Sequence, residues 1–307
     1  WLGFVMSHSG KKPNVLTGSY VKQFKGSALI GDSSNFIIEA DEYQNKLRFF
    51  KPHGVVLNNI DFDHPDYFKT KQQYFQVFSD FVKKIPKNGF LITNAEDKLS
   101  VKVAQENKGA NIFYSISDLK LKSEVRIKKM YQAKNIRLVK GNQIFELWLN
   151  SKKIGDLKIV LPGRHNILNA LAVSAGALEL GVDFSQLKKN LALFKGAARR
   201  FDVLGAYKGA VIIDDYAHHP SEVKASLQAV SQRYPDKRII TVFHPHTFSR
   251  TKALINDFAT SFSMADKLYV IEIYSSDRES ASAISSLDLI KKIKGNGKDV
   301  DGRQLAR

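Results

Sequence analysis

The sequence predicts an α/β chain of two doubly wound domains, the first on a mainly parallel central sheet with a small antiparallel appendage. Three observations carry this. Short β-rich runs alternate with helical stretches, the pattern of parallel strands covered on both faces. Beyond about residue 112 the pattern changes to closely spaced strands separated by Gly, Asn and Lys turns. It resumes after a linker near residue 195, and 307 residues is long for one domain.

The opening WLGFVMSHSG reads as the later part of an amphipathic helix with Gly10 as its cap. FIIEA (36–40), GVVLNNI (54–60) and FLITN (90–94) are strands, and FKTKQQYFQVFSDFVKKI before the third is a helix. IRLVK, IFELWL and LKIVL form the antiparallel part. HNILNALAVSAGALELG carries small and apolar residues on nearly every face, so it is expected to pack between layers and to end at Gly181. Asp183 then suits the cap of FSQLKKNLALF. FKGAARRF leads into a second domain, which sets the division at 1–195 and 196–307. There AVIIDDY, RIITVFHP and KLYVIEIY are strands, with helices beginning near Pro220 and Thr251. Both ends read as cut through an element.

The net charge is +17, but it is uneven: residues 1–195 hold 30 Lys/Arg against 17 Asp/Glu, and 196–307 hold 17 against 13. The basic residues are not interleaved with aromatics in a repeated way, so no nucleic-acid partner is expected. An anionic substrate would gain from the same field. With no cysteine, disulfides and thiolate sites are excluded, and a metal would need oxygen and imidazole donors. No apolar run reaches the roughly 18 residues of a membrane span and no signal-peptide succession occurs, so a soluble protein with no membrane partner is expected, and the lack of cysteine suits a reducing cytoplasm.

Candidate chemistry gathers where strands end. Glu39, Asp41 and Glu42 follow FIIEA, and Asp61, Asp63 and His64 follow GVVLNNI. Ligands bind open α/β sheets at such edges, and two neighbouring strands ending this way suit Mg²⁺ beside a polyphosphate; solvated loop acids are the plainer reading. In GRHNILNA, Asn166 and Asn169 share a helix face and can read an adenine edge or cap the helix. Arg199 and Arg200 in the linker can grip phosphate or stay exposed. DDYAHHP places Asp214, Asp215, Tyr216, His218 and His219 after one strand, and HPHTFSRT places His244, His246 and Arg250 after the next. Motifs G-x-S-x-G, H-E-x-x-H, G-x-G-x-x-G and G-x-x-x-x-G-K-[ST] do not occur.

EADEY, NNIDFDHPDYF, GRHNILNALA, GAARRFD, DDYAHHP and FHPHTFSRT, in this order, resemble the successive motifs of Mur ligases, the ATP-dependent enzymes that add amino acids to the peptidoglycan precursor. The last two forms are similar to the alanine-adding branch. The resemblance implies a central ATPase-type domain and a Rossmann-like C-terminal domain, with ATP and Mg²⁺ as cofactors and UDP-N-acetylmuramate and L-alanine as substrates. It implies roles residue by residue. Glu39 and His64 match metal ligands; Asn166 and Asn169 match the amides that hold adenine; Arg200 matches the linker arginine that reaches the phosphates. Asp215 and Tyr216 match nucleotide-side residues, and His218, His246 and Arg250 match active-site residues, His218 being the candidate base. The family's phosphate-binding loop and N-terminal domain have no counterpart in these residues, so the resemblance implies little ligase activity for this polypeptide alone. A murein-peptide recycling ligase and a non-catalytic nucleotide-binding module are the alternatives.

Overall fold

The computed structural model describes residues 1–119, 125–275 and 284–295. After α1 (Leu2–His8), strands β1 (Asn14–Val21), β2 (Gly26–Leu29) and β3 (Phe36–Ile38) form a small sheet of order β2-β1-β3. An irregular 3-10 stretch at Tyr43–Phe49 leads to β4 (Gly54–Leu57). There follow α2 (Lys71–Val82), β5 (Phe90–Asn94), α3 (Lys98–Ala104), β6 (Ala110–Ser115), β7 (Lys129–Val139), β8 (Asn142–Leu149), β9 (Lys152–Ile159), α4 (Arg164–Glu179) and α5 (Phe184–Leu191). The C-terminal half contains β10 (Asp202–Tyr207), β11 (Ala210–Asp214), α6 (Pro220–Arg233), β12 (Ile240–Phe243), α7 (Phe248–Ala253), α8 (Ile255–Ser261), β13 (Lys267–Val270) and α9 (Ser286–Gly295).

Strands β4 to β9 form one six-stranded sheet in sequence order, parallel from β4 to β7 and antiparallel from β7 to β9. The expected antiparallel appendage is therefore β7–β9, hydrogen-bonded onto the parallel strands through β7. Alternation across β5 and β6 explains why both faces are apolar. Ile92 and Ile112 pack with α1, α4 and α5, whereas Leu91 and Phe113 pack with α2 and α3, and all four are 0% exposed. Helix α4 buries Ile167, Ala170, Leu171, Ala172 and Ala175 against the first face, as its small, apolar composition requires.

Two helices end as the sequence predicts. Gly10 and Gly181 adopt φ of +77° and +75°, which a Cβ would disfavour. Each sits in paired backbone bonds: Lys11 and Gly10 donate to Met6 and Ser7, and Val182 and Gly181 donate to Ala177 and Leu178. Other expectations need correction. Asp183 stands at the N-cap of α5, but its side chain accepts no cap bond. The helix placed near Thr251 begins earlier, at Phe248, with Thr247 as N-cap. β3 does not neighbour β4; it runs parallel to β1, in the register Val15↔Ile37, because β1 offers it an open edge.

The C-terminal half contains a parallel pair, β12–β13, and a separate hairpin, β10–β11. Phe243, Phe258, Phe262, Leu268 and Leu289 form its core. Among the described residues no helix is long and apolar enough to cross a membrane.

Candidate active site

The loop after β4 turns the central half toward the C-terminal half. Asp63 accepts a two-pronged pair of bonds from Arg250 at the base of α7, Nε at 2.7 Å and Nη2 at 3.0 Å. Arg250 is 4% exposed, and its Nη1 donates to the His246 carbonyl. Burial opposes charge on Asp63, but the guanidinium wins and holds its pKa at about 2. His64, the next residue, takes a left-handed φ of +54° and sets Nε2 3.6 Å from Glu42 and 3.8 Å from Asp63.

DDYAHHP forms the opposite wall. Asp215 is occupied by backbone: its carboxylate accepts from Phe201 and Ala217. Tyr216 lies under two cations, with Arg199 and Arg200 at 4.7 and 5.6 Å from its ring centre. His218 Nδ1 lies 2.8 Å from the Tyr216 carbonyl, which can only accept. The neutral ring therefore carries its proton on Nδ1 and presents a lone pair on Nε2. Burial lowers the His218 pKa, against the opposing pull of Glu222, so the neutral form is favoured. His219 plays a structural part and caps α6 in a capping box with Glu222, followed by Pro220 at the first helical position. His246 stacks on Tyr274 at 4.9 Å and faces His218 at 5.9 Å.

The start of α4 meets this wall. Asn166 donates to the Pro162 carbonyl, and Asn169 donates to Asn166. Both expected adenine amides thus share one face and are bonded to each other. His165 beside them is kept neutral chiefly by burial, with Asp215 raising and Arg200 lowering its pKa. Arg200 also pairs with Glu222 at 3.5 Å. Asp215, Tyr216, His218 and Arg200 are therefore joined through Glu222 and the linker backbone, while His246 and Arg250 join them across His218.

Glu39 is placed apart. Its carboxylate accepts from the Gly18 backbone, and the partner nearest His64 is Glu42. A cavity of about 840 Å³ separates β3 from β4, lined by Ile37, Ile38 and Glu39 on one side and Val55 and Leu57 on the other. Among the described residues no group of three His, Asp or Glu side chains could hold a metal ion. Glu39 and His64, the two expected donors, could each supply at most one position to a Mg²⁺ whose other positions are filled by phosphate and water.

Residues 20–177 match the Mur ligase middle domain, and residues 199–305 match the Mur ligase glutamate ligase domain. The chain belongs to the Mur ligase family. It is 39% identical to the UDP-N-acetylmuramate–L-alanine ligase of Caldanaerobacter subterraneus subsp. tengcongensis, over 97% of the chain and 63% of that relative. It is also 39% identical to the corresponding ligase of Clostridium novyi, over 93% of the chain and 60% of the relative. The chain thus spans less than two thirds of these relatives. In fold it is similar to the UDP-N-acetylmuramate–alanine ligase of Thermotoga maritima, with a TM-score of 0.76 and 24% identity over 99% of this chain and 63% of that one. A murein peptide ligase from Psychrobacter arcticus has a TM-score of 0.67 and 22% identity over 99% and 66%.

Three further residues of this Mur ligase chain do not stand out in the sequence. Glu222 hydrogen-bonds the backbone of His218 and His219 and pairs with Arg200. Its signal is a capping-box glutamate three residues after the cap, hidden because histidine replaces the usual Ser or Thr. Glu96, just after β5, accepts from the Ile116 backbone at the end of β6 and forms an ion pair with Arg164 at the start of α4. Nothing in the local sequence joins residues so far apart.

Proposed function

We propose that this chain is the catalytic-cleft part of an ATP-dependent ligase that joins L-alanine to the carboxylate of UDP-N-acetylmuramate in peptidoglycan synthesis, in the cytoplasm. The 39% identity to alanine-adding ligases across nearly the whole chain carries the reading. The domain division at 195/196 belongs to the same proposal, as do the individual residue roles.

The substrate carboxylate would attack the γ-phosphorus of ATP, releasing ADP and leaving an acyl phosphate. The amine of L-alanine would then attack the acyl carbon, and phosphate would leave as the amide forms. Both steps gather negative charge, so cationic groups pre-oriented in the cleft are the main requirement. Arg200, at the linker, is the cation assigned to the nucleotide phosphates, and Asn166 and Asn169 to its adenine end. Asp215 holds the linker to the wall through Phe201, and Tyr216 fixes Arg200 by its ring. His218 Nε2 is assigned the proton of the attacking ammonium, since its other nitrogen is committed. His246 and Arg250 line the acyl side. ATP is the cofactor, and Mg²⁺ is proposed to arrive with it, with Glu39 and His64 as its protein donors.

The sequence has no G-x-x-x-x-G-K-[ST] loop to cradle the β- and γ-phosphates, so the isolated chain is expected to show little or no ligase activity. The activity is tested in a chimera that substitutes this chain for the matched part of the Caldanaerobacter relative. Phosphate release should require both UDP-N-acetylmuramate and L-alanine. Preference for a tripeptide over L-alanine would favour a recycling ligase instead. A folded, ATP-binding chimera inert with every acceptor would overturn the reading.

A further inference from the structure

Three successive residues of the loop after β4 each accept a hydrogen bond from the C-terminal half. The Asp61 carboxylate takes Ser221 Oγ at 2.8 Å, the Phe62 carbonyl takes His219 Nε2 at 3.2 Å, and Asp63 takes the fork of Arg250. The donors come from the first turn of α6 and from α7, the two helices that follow the histidine-bearing strand ends. The Arg250 side chain is 5% exposed and that of Asp63 16%, so the pair is shielded from water. A planar guanidinium with its fork matched to one carboxylate fixes both distance and orientation, which a point charge cannot do. The next residue, His64, takes a left-handed φ of +54° and donates its backbone N–H to Asp63 Oδ1 at 2.7 Å, the oxygen that also accepts from Arg250 Nε.

We propose that Asp63 is a positioning residue: by locking Arg250 across the cleft it docks α6 and α7 onto the loop that carries His64 and sets the spacing between the two walls. The Asp61 and Phe62 bonds guide the same approach, but they involve a more exposed carboxylate and a neutral acceptor. The dominant restraint is the Asp63 pair. Losing its carboxylate strands a buried cation, and the stranded guanidinium reaches water only if the halves part. The pair therefore acts on whether the walls meet at all, before any ligand binds. This deepens the ligase reading, whose chemistry requires the two walls to meet.

Having no cysteine, the chain can be labelled cleanly at the exposed positions Lys108→Cys and Lys224→Cys, one on each half. Single-molecule energy transfer without ligand should show one closed population. Asp63→Asn and Arg250→Gln should each raise the open fraction at least ten-fold, and the double variant should open no further than either alone. Asp63→Glu, which retains the carboxylate, should restore most of the closed population, as a general loss of stability would not. Far-UV circular dichroism checks folding; if Asp63→Asn does not fold, Arg250→Lys, which keeps the charge and loses the fork, is used in its place with the same expected opening. An unchanged distribution, additive single effects or no rescue by glutamate would overturn the proposal. No nucleotide or substrate enters the measurement, so failure of the ligase reading leaves its outcome intact.

Discussion

Two strand pairs, one in each half, are buried very differently. β5 and β6 are enclosed on both faces, with Leu91, Ile92, Ile112 and Phe113 fully buried. β10 and β11 are largely open, with Leu204 at 61% and Tyr207 at 66% exposed. Each half has an apolar core of its own, whereas the halves meet through a short run of charged and polar bonds. An apolar core has many interchangeable contacts and no preferred moment of release. A few directed bonds can break together, which suits a cleft that must admit and release ligands.

The sharpest way to separate the two is to cut the central core. Phe113→Ala removes a ring enclosed by α2 and α3 and should cost about 3–5 kcal/mol in denaturant unfolding. Its effect should fall on the transition of the central half. An equal loss in the C-terminal transition would show that the halves unfold as one unit and would erase the contrast.

A smaller effect tests the polar tie inside the central half. Burial works against charge on Glu96, yet Arg164, Ser115 and the Ile116 and Ser117 amides hold its pKa at about 2, below the usual 4.5. A lowered folded pKa stabilises the folded chain at pH above 4.5, and that contribution is lost as pH falls through about 2. Because Arg164 is 56% exposed, solvent screens the pair and the contribution is on the order of 2 kcal/mol or less. Arg164→Ala should flatten the acid limb of the stability profile between those limits and change little at neutral pH beyond the lost pair. An unaltered acid limb would show that Glu96 does not set the acid stability.

At the cleft, Glu222→Ala removes the reciprocal half of the α6 capping box and should cost about 1 kcal/mol. It also removes the carboxylate that raises the His218 pKa, so the imidazole should titrate still lower, as followed by proton NMR. A stability loss without a shift at His218 would make Glu222 a cap only.

How much of this is legible in the sequence follows from the range of each interaction. Strands β4, β5 and β6 and the ends of α1 and α4 are readable because alternation, composition and a following glycine are local signals. The pairing of β3 with β1 is not, since FIIEA fits either neighbour and only the fold decides which edge is open. At the site, the motif residues of the C-terminal wall are legible, and they converge through Glu222, the linker backbone and His218. Glu39 is legible as a motif residue but not as a partner of Gly18. The Asp63–Arg250 pair is invisible for the opposite reason: both residues stand out in the sequence, each in a different motif, and only folding brings them together.

Caps provide the smallest contrast and the finest control on reading a helix start from sequence. Thr70 and Asp183 are both good N-cap residues, but the Thr70 hydroxyl accepts from Gln73 at 3.1 Å and the Asp183 carboxylate accepts no cap bond at all. Thr70→Ala should therefore cost about 1 kcal/mol. Asp183→Ala should cost no more than a few tenths, the residue of a carboxylate's interaction with the helix dipole at an exposed end. The difference is measurable in paired denaturant titrations with a shared slope. Equal costs would mean that residue type at the cap, and not the bond it makes, governs stability here, so that the sequence expectation for Asp183 would be right for α5.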